Sequence, residues 1–232
     1  MPRGAHAVDR ASQWIIMTAM PRLPLRILLF IAAFVFLTTF IQLGILTLAL
    51  DKLGLSSNSA TLLFITILAG SMLNLPLFNM DTKPPPVEEE APPATLPYTG
   101  KIQVMANVGG CVVPVAFCLY LLEHNPVDKL HLLIAITAVT LLSYSTSRRM
   151  PGVGIGIPIL LAPFTAALVS FLLDPEHAAP IAYISGTLGV LIGADLLHLK
   201  DIRSMGVPFA AIGGAGSFDG IFITGIVAVL LA

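Results

Sequence analysis

Apolar residues in this chain run in blocks of about 20, the length that crosses a hydrocarbon core, and polar residues collect between the blocks. The blocks fall at Leu23–Leu50, Ser59–Phe78, Ile102–Leu122, Leu130–Ser145, Gly152–Leu173, Pro180–Leu199 and Val207–Ala232. This pattern predicts an all-α fold, a polytopic transmembrane helical bundle of about seven spans. A short turn, Asp51-Lys52-Leu53-Gly54, separates the first two blocks, and Ser56 to Asn58 are placed to cap the second helix. Residues 79–101 form the one long polar stretch between blocks. They carry Pro84-Pro85-Pro86, Glu88-Glu89-Glu90 and Pro92-Pro93, the composition of a stiff, solvated linker. The expected division is therefore an interfacial N-terminus at 1–22, a two-helix unit at 23–78, the linker at 79–101 and a five-helix core at 102–232. Trp14 is expected to anchor the first segment at the membrane surface, and Met17 or Met20 would give a tighter start than Met1. The first block has no small-residue cleavage signature and reads as an anchor.

Composition supports the same picture. Of the 232 residues 56% are hydrophobic and 11% charged, against about 25% charged for a soluble domain. No basic stripe points to nucleic acid, so none is expected as a partner. The partner expected first is the lipid bilayer. Cys111 and Cys118 lie seven residues apart in one block; on a helix that is roughly 10 Å, beyond the ~7 Å limit of a disulfide. No metal pattern is present, and no cofactor is expected. The positive charges give an orientation. With the N-terminus inside, ten of the twelve Lys and Arg fall on the inner side and only Lys52 and Lys129 fall outside. That asymmetry predicts N-terminus in, C-terminus out, in the cell (inner) membrane.

Two carboxylates fall inside long apolar blocks: Asp195, in Gly193-Ala194-Asp195, and Asp219, in Gly213-Gly214-Ala215-Gly216-Ser217-Phe218-Asp219-Gly220. A carboxylate within a bilayer costs about 2.5–3.5 kcal/mol on insertion scales unless it faces protein or water. The two blocks are consecutive and antiparallel, so both aspartates lie toward the inner half. A fully helical last block would put Asp219 roughly 10 Å deeper than Asp195. The pair meets only if the helices are offset or the glycine-rich stretch is not regular helix.

Two like charges in one site do not both ionise readily. A close pair could thus act as general acid and general base, the aspartic-protease arrangement. It could equally bind and release a proton or cation, as in transporters. A third reading has each aspartate hydrogen-bonding backbone freed by the glycines. On the first reading Asp195 and Asp219 are the catalytic residues. Gly213, Gly214, Gly216, Ser217, Phe218 and Gly220 would make room for substrate backbone, with Asn107 and Gly193 as possible site walls. His198, three residues after Asp195, reads as interfacial.

The words Asn107-Val108-Gly109-Gly110, Pro151-Gly152-Val153-Gly154-Ile155, Gly193-Ala194-Asp195-Leu196 and Gly213 to Phe222 resemble the prokaryotic membrane family described as domain of unknown function 1614, over about Gly100 to Ala232. That resemblance implies no activity. A fainter resemblance is to presenilin-type intramembrane aspartyl proteases, whose Gly-x-Gly-Asp motif is followed by Phe-Ile-Phe. Here Gly216-Ser217-Phe218-Asp219-Gly220-Ile221-Phe222 is similar, but Phe218 replaces the last glycine, Asp195 lacks the preceding tyrosine, and a Pro-Ala-Leu-Pro motif is missing. This second resemblance implies an intramembrane aspartyl protease that cuts membrane peptides. A small proton- or cation-coupled transporter and a structural membrane protein are the alternatives.

Overall fold

A computed structural model describes residues 25–81, 100–150, 154–203, 208–216 and 219–232. The N-terminal segment with Trp14, the proline and glutamate runs of the linker, Pro151 to Val153, and Ser217 with Phe218 lie outside the described residues. The chain is mostly helical. Its elements are α1 (Leu25–Lys52), α2 (Ser57–Gly70), β1 (Asn74–Asp81), β2 (Lys101–Asn107), a π-helical turn π1 (Val108–Val112), α3 (Val113–His124) and α4 (Lys129–Thr146). A two-stranded ribbon of β3 (Arg148–Met150) and β4 (Gly154–Gly156) follows. Then come α5 (Leu161–Leu173), α6 (Ala178–Val190), π2 (Leu191–Leu196), the short α7 (Leu199–Ile202), β5 (Phe209–Ile212) and α8 (Gly220–Leu231). Two compact units are present, Met1–Leu43 and Gly44–Ala232. In the first, α1 exposes Leu29, Phe30, Phe34 and Phe36. The second holds every other described element.

The second unit is built around α6. Its sequence, AAPIAYISGTLGV, is rich in small residues, and all but Ala179 and Leu188 of its thirteen residues are buried. It packs against α3, α4, α5 and α8. Gly189 and Gly193, four residues apart, turn one stripe of the helix toward α4: a Cβ on Gly189 would strike Val139, and one on Gly193 would strike the Thr140 carbonyl and Ser143. On another side Gly186 meets Thr224, and Gly225 of α8 meets Thr187 and Tyr183. Helices in a bilayer gain little from burial against equally apolar lipid, so close approach over small residues is the main source of their association. Tyr183 sits edge-on to Phe117 at 5.0 Å between ring centres.

Large apolar side chains face outward on the surrounding helices: Leu133 and Leu141 on α4, Phe164, Phe171 and Leu172 on α5, Leu62 and Ile65 on α2. Patches of this extent are foreign to a soluble monomer and match a lipid-facing surface. Among the described residues two helices, Lys129–Thr146 and Ala178–Leu196, are long and apolar enough to cross a membrane, and the helices at Ser57–Gly70, Val108–His124, Leu161–Leu173 and Gly220–Leu231 are shorter. Seven continuous spans are thus not what the chain forms. Three of the expected blocks are interrupted, each for a local reason.

The second block stops as helix at Gly70, turns, and continues as β1, where Pro76 sits on an edge strand and the register slips between Pro76 and Phe78. The third block opens as β2, in which Ile102, Val104 and Ala106 are buried on the inward positions of a period-two pattern. The last block opens as β5 and becomes helix only at Gly220. β2 is the central strand, antiparallel to β1 and parallel to β5. Asn107 clamps this junction. Its Nδ2 donates to the Ser71 carbonyl at 2.8 Å and to Asn74 Oδ1 at 3.0 Å, and its Oδ1 accepts from the Gly110 N–H at 2.8 Å. At the other end of the unit Lys52 Nζ donates to the Val229 and Leu230 carbonyls at 3.3 and 3.2 Å. There it caps the C-terminal, negative end of α8.

Candidate functional site

The glycine-rich stretch before Asp219 is a tight turn and not a helix. Gly213 and Gly216 take φ of 68° and 62°, the left-handed region that only glycine enters without penalty. The turn closes through Gly216 N–H to the Gly213 carbonyl at 2.9 Å and Asp219 N–H to the Gly216 carbonyl at 3.0 Å. Asp219 then caps α8. Its backbone is extended (φ −71°, ψ 148°), Oδ1 accepts from the Ile221 N–H at 3.0 Å, and Oδ2 accepts from the Ala215 N–H at 3.4 Å. Aspartate is among the best N-cap residues because it satisfies N–H groups that the first turn leaves orphaned. This carboxylate therefore has a structural task whatever else it does.

Asp195 has a different setting. It lies in π2, where Leu197 N–H bonds to the Ile192 carbonyl at 3.0 Å. Single π turns inside helices are rare and recur at functional sites. Gly193 and Ala194 are buried, and Asp195 is half-buried. Among the described residues no hydrogen bond reaches its carboxylate. His198 is occupied elsewhere: its Nδ1 is 3.0 Å from the Gly193 carbonyl, and its ring lies 4.8 Å from that of Tyr144.

Asp195 and Asp219 lie within electrostatic reach of each other. The glycine turn removes the regular helical rise that would have held them at different depths. Both also lie within electrostatic reach of Cys111, which sits in π1 directly after Gly109-Gly110. Cys111 is the residue that sequence reasoning passed over. The available signal was the same one that marked Asp195, a glycine-flanked position inside an apolar block. Among the described residues no set of three or more His, Cys, Asp or Glu could hold a metal ion.

The other residues expected at the site divide by what fills the space beside them. A Cβ on Gly213 would meet Gly110 and Cys111, and one on Gly216 would meet Ser71. The room these two glycines leave is taken by the chain's own backbone. Gly220 lies against Ile157, and Gly214 is exposed. Gly193 faces α4. Asn107 is fully buried and committed to the three hydrogen bonds of the β2–π1 junction. Ser217 and Phe218 fall outside the described residues.

A family model described as "Protein of unknown function (DUF1614)" matches residues 68–231. The match begins in the last turn of α2, so it takes in β1 and the whole of the sheet. No curated protein and no solved structure matches the chain, and the presenilin-type resemblance is not shown.

Proposed function

The chain belongs to the DUF1614 family, and from that premise we propose that it is a multi-pass protein of the cell membrane, N-terminus in and C-terminus out, whose Asp195 and Asp219 form an intramembrane diaspartyl site. The reaction is hydrolysis of a peptide bond in a membrane-embedded polypeptide. The observation that carries this reading is the electrostatic proximity of two carboxylates delivered by separate elements, a π turn and a helix cap. The roles divide by hydrogen bonding. Two backbone N–H groups point at Asp219, and such donors favour the ionised form. Asp219 is the general base that takes a proton from water. Asp195 is the general acid that protonates the carbonyl oxygen of the scissile bond, and the leaving amine departs with a proton as the two carboxyls exchange roles.

The test uses the full chain in lipid nanodiscs with a library of membrane-spanning peptides, read by mass spectrometry. New peptide termini in the wild type that disappear in Asp195→Asn and in Asp219→Asn support the reading. Failure of the wild type to cut any member, with the protein shown to be folded, overturns it.

A second reading is favoured by one observation, the interruption of the last block into strand, glycine turn and helix. Discontinuous segments of that kind build ion and substrate sites in secondary transporters. Here the pair would bind and release a proton or cation. Flux driven by a pH gradient in proteoliposomes, lost in both Asn variants, would favour it over hydrolysis.

A further inference from the structure

A second buried polar group lies on the α3–α6 seam, and neither reading of the aspartates uses it. Thr187 is completely buried on α6, and its hydroxyl has no hydrogen-bond partner among the described residues. A helical threonine ordinarily donates to the carbonyl four residues back. Thr137, Thr146 and Thr165 do so, at 2.8, 2.8 and 2.9 Å. Thr187 does not. Its oxygen lies instead beside the thiol of Cys118 and the phenol of Tyr183, within interaction range of each, and both side chains are buried. Gly225 on α8 leaves the space open: a Cβ there would strike Thr187 Oγ1 and the Tyr183 ring.

The placement of this group is informative. Cys118 stands beside Thr187, and Cys111 stands near Asp195, so α3 and α6 run antiparallel along one seam. From Thr187 to Asp195 is eight residues and from Cys118 back to Cys111 is seven, about two helical turns on each side. The seam thus has a polar cluster at either end. An orphaned hydroxyl within the protein is costly, and the usual remedy is a buried water held by two to four polar groups. Hydroxyl, phenol and thiol supply three.

We propose that Thr187, Tyr183 and Cys118 bind internal water, forming a hydration site on the same seam as the aspartate pair. This inference stands apart from the hydrolase and carrier readings, since it concerns water and not the chemistry at the carboxylates.

The test reads the Cys118 thiol by infrared spectroscopy in the full chain in lipid. Cys111→Ala leaves Cys118 as the only thiol and keeps the Cβ that Gly213 packs against. Should that variant misfold, the wild type minus Cys118→Ala difference spectrum isolates the same band. On transfer to D₂O the S–H band is expected to convert to S–D within minutes, because water reaches it. Thr187→Val, which keeps the shape and removes the hydroxyl, is expected to slow that conversion about tenfold and to move the band toward that of a thiol without a partner. A thiol that stays S–H for hours overturns the proposal, as does conversion at the same rate in Thr187→Val.

Discussion

Gly110 and Gly213 meet backbone to backbone: a Cβ on Gly110 would collide with the carbonyl oxygen of Gly213, and a Cβ on Gly213 would collide with the carbonyl carbon of Gly110. One belongs to π1 and the other to the turn ahead of Asp219. This contact seats the Asp219 turn against the segment that carries Cys111. Gly110→Ala is expected to destabilise the fold by about 1–3 kcal/mol through overpacking. Gly213→Ala should cost more, since its left-handed backbone adds about 1–2 kcal/mol for any residue with a Cβ. Gly44→Ala is the control. It lies in α1 with open space around it and should be neutral or stabilising by up to about 1 kcal/mol. Thermal unfolding in detergent orders the three.

Asp219 can be split into its two tasks. Asn caps a helix about as well as Asp, and Ala loses roughly 1 kcal/mol. Asp219→Asn is expected to unfold near the wild-type temperature while losing any acid–base activity, whereas Asp219→Ala loses both. If Asp219→Asn keeps full activity in whichever assay the wild type passes, the carboxylate serves as a cap alone.

Asn107 is expected to be among the least replaceable polar residues. Asn107→Ala removes three hydrogen bonds and leaves the Gly110 N–H buried without a partner, at a cost of about 3 kcal/mol. Asn107→Asp keeps the bond to Gly110 but turns a carboxylate toward the Ser71 carbonyl and Asn74 Oδ1, and should be worse. Equilibrium unfolding or the yield of monodisperse protein reads both.

Asp128 gives a pH prediction outside the membrane-spanning segments. It caps α4, and the N–H groups of His131 and Leu130 hold its carboxyl below the ordinary value of 3.8. A carboxyl whose folded value is depressed contributes stability above its unfolded value and loses it as pH falls through the folded value. Exchange of the Leu130 and His131 amides should therefore quicken as the pH drops below about 4. Asp128→Ser should retain the cap and lose that dependence.

Much of the helical core was legible because its blocks are uninterrupted. The expected span Leu130–Ser145 differs from α4 by a single residue at each end, and Pro180–Leu199 overlaps α6 and π2. The strands were not read. In Lys101–Asn107 the alternation of Ile102, Val104 and Ala106 with Lys101, Gln103 and Met105 was present, but it ran directly into an apolar helix and length favoured the longer element. Phe209 to Ile212 has no period to read, and its partner β2 lies a hundred residues away in sequence. Asp195 and Asp219 stood out because charge in an apolar block is expensive. Cys111 did not, because a cysteine in an apolar block carries no such penalty. Nothing in the composition around Thr187 distinguished it from Thr137 or Thr165. Only its missing bond does.

The π turn at Leu191–Leu196 makes the position of Asp195 a matter of phase. Each residue of an α-helix advances the side-chain direction by about 100°, and a turn closed from residue i to i+5 holds one residue more than its neighbours. A related chain one residue shorter between Leu191 and Asp195 would keep its helix, its apolar pattern and its Gly-Ala-Asp letters, yet aim the carboxylate at a different neighbour. A one-residue gap at this point in an alignment would separate relatives that possess the aspartate pair from those that carry only its spelling.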